Sequence, residues 1–265
     1  MRLPALLLAS ALLVSCSTLP RPGDPALATR PAASGDPAAI LRESARQQGD
    51  PWKRASRVTA ELDGQWSAIA TRLQPVLTDP GFRKSSVETY LPPRRETLQI
   101  HRGPQGTKEV RRSPGKVRVT RNGGIDADPD SQAAAALVAD AYVAFLFGSS
   151  WLAENARDLA LLDSRRGDAE NCHLVAGRLK PGFGLADGDH FIAWIDRRDA
   201  TLRRLQFTLN GLESTRGADV DVVFSGHFRD SKGFLWPRRF VEDIQRPLRA
   251  RAHEWDLVRV ESARR

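Results

Sequence analysis

The feature that most constrains the fold is an almost continuous apolar run from Ala133 to Phe147, AAAALVADAYVAFLF. Asp128 and Pro129 supply a side-chain cap and a first-turn proline, and Gly148 supplies a stop, so the run predicts one helix. A helix that is apolar on nearly every side is either buried between layers of a protein or inserted in a membrane.

Magnitudes favour burial of this helix over insertion. The large apolar residues of the run contribute roughly −3 kcal/mol to insertion, which Asp140 near the centre cancels at roughly +3 kcal/mol. The run is also shorter than the ~20 residues that a membrane span needs. We therefore expect a helix buried inside a folded domain.

The segments around this helix have the period of strands. Apolar residues alternate with polar ones over 58–62, 204–209 and 219–224, and β-like segments recur at roughly ten-residue spacing after residue 172. Short turn signals separate several of them, which is typical of an antiparallel meander. We predict an α+β domain in which one sheet face is wet and the other packs on the apolar helix.

The N-terminus carries an export signal. Residues 1–15 have one charge, an apolar core and a small-residue ending, which together indicate a signal peptide. Its end, Leu13-Val14-Ser15-Cys16, resembles the bacterial lipoprotein box, and this implies that Cys16 is lipidated and anchors the protein to a membrane. The residue after Cys16 is Ser17 and not aspartate, which resembles lipoproteins that Gram-negative bacteria sort to the outer membrane. We expect a Pro/Ala-rich tether over 16–35 and a single domain over 36–265.

The cysteine count and the net charge limit the disulfides and the binding partners that we expect. Lipidation of Cys16 leaves Cys172 alone, so we expect no intramolecular disulfide and interpret Cys172 as a small buried residue. The formal charge of +8 is scattered in arginine pairs over the chain. An exported, membrane-tethered protein meets anionic lipids, not nucleic acid, so we predict membrane, lipid and envelope-protein partners and no nucleic acid.

Motifs for catalysis are missing from the sequence. The histidines, His101, His173, His190, His227 and His253, lack the spacing of a metal site. There is no Gly-x-Ser-x-Gly elbow and no nucleotide-binding glycine loop. We predict a protein that is not an enzyme and uses neither a metal nor a cofactor.

The order of parts in the second half resembles that of a known fold group. The parts are an aromatic-rich helix end over 142–147, a strand ending Ala193-Trp194-Ile195-Asp196, a partner strand over 202–209, the segment 222–226, and a glycine turn into Gly233-Phe234-Leu235-Trp236-Pro237. This arrangement resembles the LolA-like and LolB-like lipoprotein-localisation group over about residues 130–260. The resemblance implies a strongly curved antiparallel sheet, an incomplete β-barrel, that encloses the apolar helix.

The resemblance also implies a function. Members of that group receive acyl chains between sheet and helices, and an apolar groove of this kind binds a hydrophobic ligand. The function predicted is that of a lipid-anchored outer-membrane protein, facing the periplasm, that binds or carries lipid or lipoprotein acyl chains. For each groove residue the alternative is plain core packing. The residues expected to line the groove are Leu137, Tyr142, Phe145, Leu146, Trp151, Trp194 and Phe207.

Two other functions stay open at this point. One is a non-catalytic structural or interaction subunit of an envelope assembly, with a closed core. The other is an envelope hydrolase, for which the sequence nominates no acid and base.

Overall fold

The computed structural model describes residues 19–28, 34–163, 171–247 and 249–265. The signal peptide expected at 1–15 and the lipidation site expected at Cys16 lie outside the described residues. The helices in the described part are α1 Pro25–Ala28, α2 Pro37–Gln47, α3 Pro51–Arg54, α4 Ala68–Leu73, α5 Pro75–Thr78 and α6 Pro129–Asn155.

Strands make up most of the remaining described chain. They are β1 Ala55–Trp66, β2 Ser85–Leu91, β3 Glu96–Gly103, β4 Gly106–Ser113, β5 Lys116–Arg121, β6 Gly124–Asp126, β7 Ala156–Leu162, β8 Cys172–Leu179, β9 Asp189–Asp196, β10 Leu202–Leu209, β11 Ala218–Ser225, β12 Phe228–Arg229, β13 Leu235–Trp236, β14 Arg239–Arg246 and β15 Ala250–Arg264.

Thirteen strands form one antiparallel sheet in the order β6-β5-β4-β3-β2-β1-β15-β14-β11-β10-β9-β8-β7, and β12 pairs with β13 in a separate ribbon. The sheet is not closed, because β6 and β7 are its two edges. These edge strands are consecutive in the chain, with α6 between them. The helix therefore starts at one edge of the sheet and ends at the other.

The sequence of α6 explains its start and its kink. The Asp128 side chain accepts a hydrogen bond from the Ser131 amide at 3.2 Å, and Pro129 occupies the first turn. Gly148, expected to end the helix, instead kinks it with φ 47° and ψ −125°, and the chain then continues as helix to Asn155. A residue with a β-carbon adopts this backbone only with strain.

Helix α6 lies in the core of the protein. It is long and apolar enough to cross a membrane, yet 89% of its most apolar 18-residue window is buried by the protein itself. It packs on one face of the sheet together with the apolar residues of β1, β9, β10, β11, β14 and β15. The predicted fold class, an α+β open antiparallel sheet around a buried apolar helix, is confirmed.

The outer face of the sheet is covered at one place by the N-terminal segment. Leu19 and Leu27 pack against the outer apolar cluster that contains Trp194, and the carbonyl of Pro20 accepts a hydrogen bond from Gln206 at 3.0 Å. This segment belongs to the region expected to be a tether, and its described residues, 19–28, lie packed on β8, β9 and β10. The neighbouring outer side chain of Asp221, expected to be wet, is only 4% exposed.

Strands β2 and β3 point their polar residues inward, toward α6. The inward positions of β2 are Ser86, Glu88 and Tyr90, and those of β3 include Gln99 and His101, all at most 3% exposed. The apolar residues between them, such as Val87 and Ile100, face outward and are half-buried. The interior near β2 and β3 is therefore polar, while the interior near β9 to β11 is apolar.

Candidate ligand-binding site

Five of the seven residues expected to line a groove pack together between α6 and the sheet. Each is at most 3% exposed. The ring centroids of Tyr142 and Phe145 are 5.4 Å apart, and those of Phe145 and Phe207 are 5.9 Å apart. Side chains therefore fill the middle of the interior. The five residues are Leu137, Tyr142, Phe145, Leu146 and Phe207.

Trp194 does not join these residues, because it lies on the other face of the sheet. Side chains alternate along β9, so Phe191, Ala193 and Ile195 face the helix and Trp194 faces outward. There its indole N–H donates to Gln206 Oε1 at 2.7 Å, and the guanidinium of Arg204 lies 4.7 Å from the ring centre.

Trp151, the seventh residue, lines a cavity of about 240 Å³ between the two ends of the sheet, the edge cavity. Its apolar wall consists of Trp52, Val143, Trp151 and Phe183. Trp151 stacks on Phe183 with ring centroids 5.9 Å apart and planes inclined by 17°. Phe183 also contacts Phe207 at 4.8 Å, so the apolar wall is continuous with the core.

The charged side chains that line the edge cavity are mostly basic, with Asp140 as the acidic one. Arg95 forms an ion pair with Glu154 at 2.7 Å. Arg157 Nη1 donates to the carbonyl oxygens of Glu154 and Ala156 at 3.0 and 2.8 Å, so its charge is not matched by a carboxylate there. Lys180 is exposed and forms no ion pair with any described residue. Arg157 and Lys180 are thus the cations available to an anionic ligand.

Arg112 also lines the cavity, but its donors are already used. Its Nε and Nη2 donate to the Asp140 carboxylate at 3.0 and 2.7 Å. Nη2 also donates to the carbonyl of Gly184 at 2.9 Å. Nη1 donates to the carbonyls of Ser113 and Lys116, both at 3.3 Å. The Gly184 amide donates to Asp140 at 2.9 Å. Burial raises the pKa of Asp140, and the Arg112 charge opposes this shift.

This three-residue contact links two distant parts of the sheet to the helix. Arg112 belongs to β4 near one end of the sheet, and Gly184 belongs to the loop between β8 and β9 near the other end. Both meet at Asp140 in the middle of α6. The single charge in the apolar run therefore connects the helix to strands near both ends of the sheet.

A second polar group of residues lies inside the sheet, away from the edge cavity. The Arg83 guanidinium is surrounded by the rings of Tyr142, Trp66 and Trp255, at 4.7, 4.9 and 5.3 Å from their centres. A buried polar atom without a partner costs roughly 1–3 kcal/mol. Atoms here that have none among the described residues are Arg83 Nη1 and Nη2, Trp66 Nε1, Trp255 Nε1, Tyr142 Oη, His101 Nδ1, His253 Nδ1, Gln99 Nε2 and Gln99 Oε1.

The internal polar cluster was not predicted from the sequence. Alternating polar side chains on a strand ordinarily face solvent, whereas those of β2 and β3 face α6. His101 and His253, which are far apart in the chain, come to the same cluster because β3, β2, β1 and β15 are consecutive in the sheet. Burial, together with the charges of Arg83 and Lys108, holds the pKa of His101 well below its usual range.

The described residues contain no group of three or more His, Cys, Asp or Glu side chains placed to bind a metal ion. Cys172 is buried against Leu174 and Trp194, and burial raises the pKa of its thiol. Both properties describe a packing residue more than a nucleophile.

An open antiparallel sheet bent around one apolar helix defines a class of protein, the LolA-like fold, and this chain has that fold. A LolA superfamily protein from Nitrosomonas europaea superposes with a TM-score of 0.51 at 9% identity, covering 86% of this chain and 94% of that one. A DUF1329 family protein from Desulfovibrio piger superposes at 0.49 with 10% identity, covering 86% and 94%. At such identities the likeness concerns the fold. No family model and no curated protein matches the sequence.

Proposed function

We propose that the protein binds a single-chain hydrophobic ligand, the acyl chain of a lipid or lipoprotein, in the edge cavity. The observation that carries this proposal is the mixed lining of the cavity. The lining combines the apolar side chains of Trp52, Val143, Trp151 and Phe183 with basic side chains, Lys180 among them, that are exposed to solvent. An apolar slot with a few polar groups at its mouth is the usual form of a small-molecule site.

The size of the edge cavity limits the ligand. Its volume of about 240 Å³ lies below the ~300 Å³ at which pockets begin to enclose drug-sized molecules. One acyl segment fits this space better than the several chains of a complete lipoprotein anchor. The anionic head group would lie at Lys180 and Arg157, outside the apolar slot.

The bacterial envelope is the place we propose for this activity. The lipoprotein box ending in Cys16 supports a lipid anchor, and Ser17 supports the outer membrane, with the domain facing the periplasm. The LolA-like fold supports binding and carriage of lipid rather than catalysis. A protein held at a membrane by its own acyl chains would meet its ligand at that surface.

Lipid analysis together with one matched pair of variants tests the proposal. Val143→Phe fills the edge cavity, and Val258→Phe makes the same change at an exposed position on β15. Excluding about two methylenes from burial should weaken dodecanoate binding by roughly tenfold in Val143→Phe and leave Val258→Phe unchanged. Mass spectrometry of the protein purified from its host should find acyl chains.

A second experiment tests whether the basic residue Lys180 binds the anionic head group. Lys180→Glu should weaken binding of dodecanoate, and the loss should shrink at high salt because an exposed charge is screened. Binding of dodecanol, which has no charge, should not change. A protein that carries no acyl chains and binds dodecanoate equally in the wild type and Val143→Phe would refute the proposal.

One observation favours a second function, an interaction subunit with a closed core. Large apolar side chains stand exposed on the short helices α4 and α5, with Ile69 at 40%, Leu73 at 57% and Val76 at 41%. Exposed apolar residues that lie together mark a contact surface. If this is the function, Leu73→Ser should abolish capture of an envelope protein while Val143→Phe has no effect on that capture.

A further inference from the structure

The internal polar cluster contains a cation that no described carboxylate matches. Arg83 is 5% exposed, and no described Asp or Glu oxygen lies within ion-pair distance of its guanidinium. The nearby carboxylates are committed elsewhere: Glu88 accepts from the Ser86 and Tyr90 hydroxyls, and Glu242 Oε2 lies 3.0 Å from His253 Nε2. Arg83 thus differs from Lys108, which pairs with Asp79 at 2.6 Å.

The aromatic rings leave only the edges of the guanidinium free. Trp66, Tyr142 and Trp255 surround Arg83 with centroids 4.7 to 5.3 Å from its central carbon. Rings in this position favour the cation and exclude water from it. The Nη1–H and Nη2–H groups at its edge, which have no partner in the described chain, form a planar fork. Such a fork matches the two oxygens of a carboxylate.

The other unpaired atoms of the cluster are mostly donors. The indole nitrogens of Trp66 and Trp255 can only donate, and the Tyr142 hydroxyl and the Gln99 amide nitrogen add further donors. Gln99 Oε1 is the one atom of the set that can only accept. An excess of buried donors around a guanidinium fits an anion, whereas a set of waters alone would need donors and acceptors in similar number.

Close packing of the strands brings these donors together. Gly64 on β1 pairs with Trp255 on β15, and a β-carbon at position 64 would lie 2.3 Å from the carbonyl oxygen of Glu254 and 2.9 Å from the Trp255 ring. A glycine at this position therefore lets Trp255 lie against β1, facing Arg83.

We propose that the internal polar cluster is a binding site for a carboxylate group, with Arg83 as its bidentate partner and Trp66, Trp255, Tyr142 and Gln99 as further donors. The site shares no residue with the edge cavity and is independent of the function proposed for that cavity. The carboxylate can belong to a small free acid or to the head of a fatty acid, and both present the same planar pair of oxygens.

Carbon-13 NMR of labelled probes tests the site in the full chain. The probes are [1-¹³C]acetate, which is too short to need an acyl cavity, and [1-¹³C]dodecanoate. The wild type should bind a carboxylate, and Arg83→Met should weaken binding by about ten- to a hundredfold, the value of a charge-assisted bidentate contact. Arg118→Met, the same change at an exposed position on β5, should bind like the wild type.

Arg83→Lys keeps the charge but loses the fork, and it guards against a folding failure of Arg83→Met. It should lose most of the affinity, and equal affinity in Arg83→Lys and the wild type would refute recognition by the fork. Arg83-dependent binding of acetate assigns the site to small acids, and Arg83-dependent binding of dodecanoate without binding of acetate assigns it to fatty-acid heads. Val143→Phe, which fills the edge cavity, should leave acetate binding unchanged. If neither probe binds in an Arg83-dependent way, the cluster holds only water and the proposal is overturned.

Discussion

Removing the Asp140 carboxylate should be among the most damaging single changes in the described chain. Asp140 accepts from Arg112 Nε and Nη2 and from the Gly184 amide, and the two charged side chains are only 22% and 12% exposed. Breaking a buried ion pair by removing one partner costs about 3–5 kcal/mol, because the remaining charge is left buried and unpaired. We expect Asp140→Ala to lose this much and Asp140→Asn somewhat less, since an amide oxygen still accepts from Gly184.

A double-mutant cycle tests whether the cost comes from the stranded Arg112. Urea unfolding followed by circular dichroism gives the free energy of each variant. Asp140→Leu combined with Arg112→Met replaces the pair by apolar side chains of similar size and should recover most of the loss. Asp130→Ala, an exposed acid in the first turn of the same helix, is the control and should cost under ~1 kcal/mol. A loss below ~1 kcal/mol in Asp140→Ala, or a double variant as unstable as the single one, would refute the reasoning.

Two further changes test the sheet. Burial raises the pKa of Asp221 to about 6 from 3.8, and the Arg204 charge only partly opposes this. Because the pKa of Asp221 is raised in the folded state, ionising this group destabilises the fold. The free energy of unfolding is therefore highest below pH 3.8 and falls by about 3 kcal/mol as the pH rises through about 6. Asp221→Asn should remove this pH dependence, and an unfolding free energy that falls equally in both proteins over this range contradicts the assignment. Gly64→Ala should cost about 1–3 kcal/mol, because its β-carbon meets the Glu254 carbonyl, whereas Gly124→Ala, with 3.4 Å to its nearest neighbour, should cost less in thermal melts.

Periodicity was sufficient to predict the elements that pack on one apolar surface. The capped apolar run gives the larger part of α6, and the alternation over 58–62, 204–209 and 219–224 falls within β1, β10 and β11. Strand β4 was not predicted, because Thr107-Lys-Glu-Val-Arg-Arg carries little apolar alternation. Pairing with β3 and β5 on both sides makes it a strand.

Which face of a strand points inward could not be predicted from the strand alone. For β9 both faces are apolar, so Trp194 was an equal candidate for the interior with Ala193 and Ile195. For β2 and β3 the inward face is the polar one, and there Lys108 pairs with Asp79 while Glu88 accepts from the Ser86 and Tyr90 hydroxyls. Register across several strands decides these cases, and a single sequence does not contain it.

The opening between the sheet edges explains why the edge cavity lies where it does. Neighbouring strands inside the sheet are joined by ladders of backbone hydrogen bonds, so a ligand entering between them would leave buried groups unpaired at roughly 1–3 kcal/mol each. The two ends of the sheet are joined instead by side chains, Arg112 and Asp140 above all. A ligand between the ends displaces no ladder bond, and the apolar wall at Trp151 and Phe183 is already present there. The acyl chain that we propose would thus enter between the ends of the described sheet, where the Arg112 side chain rather than a backbone ladder reaches the β8–β9 loop.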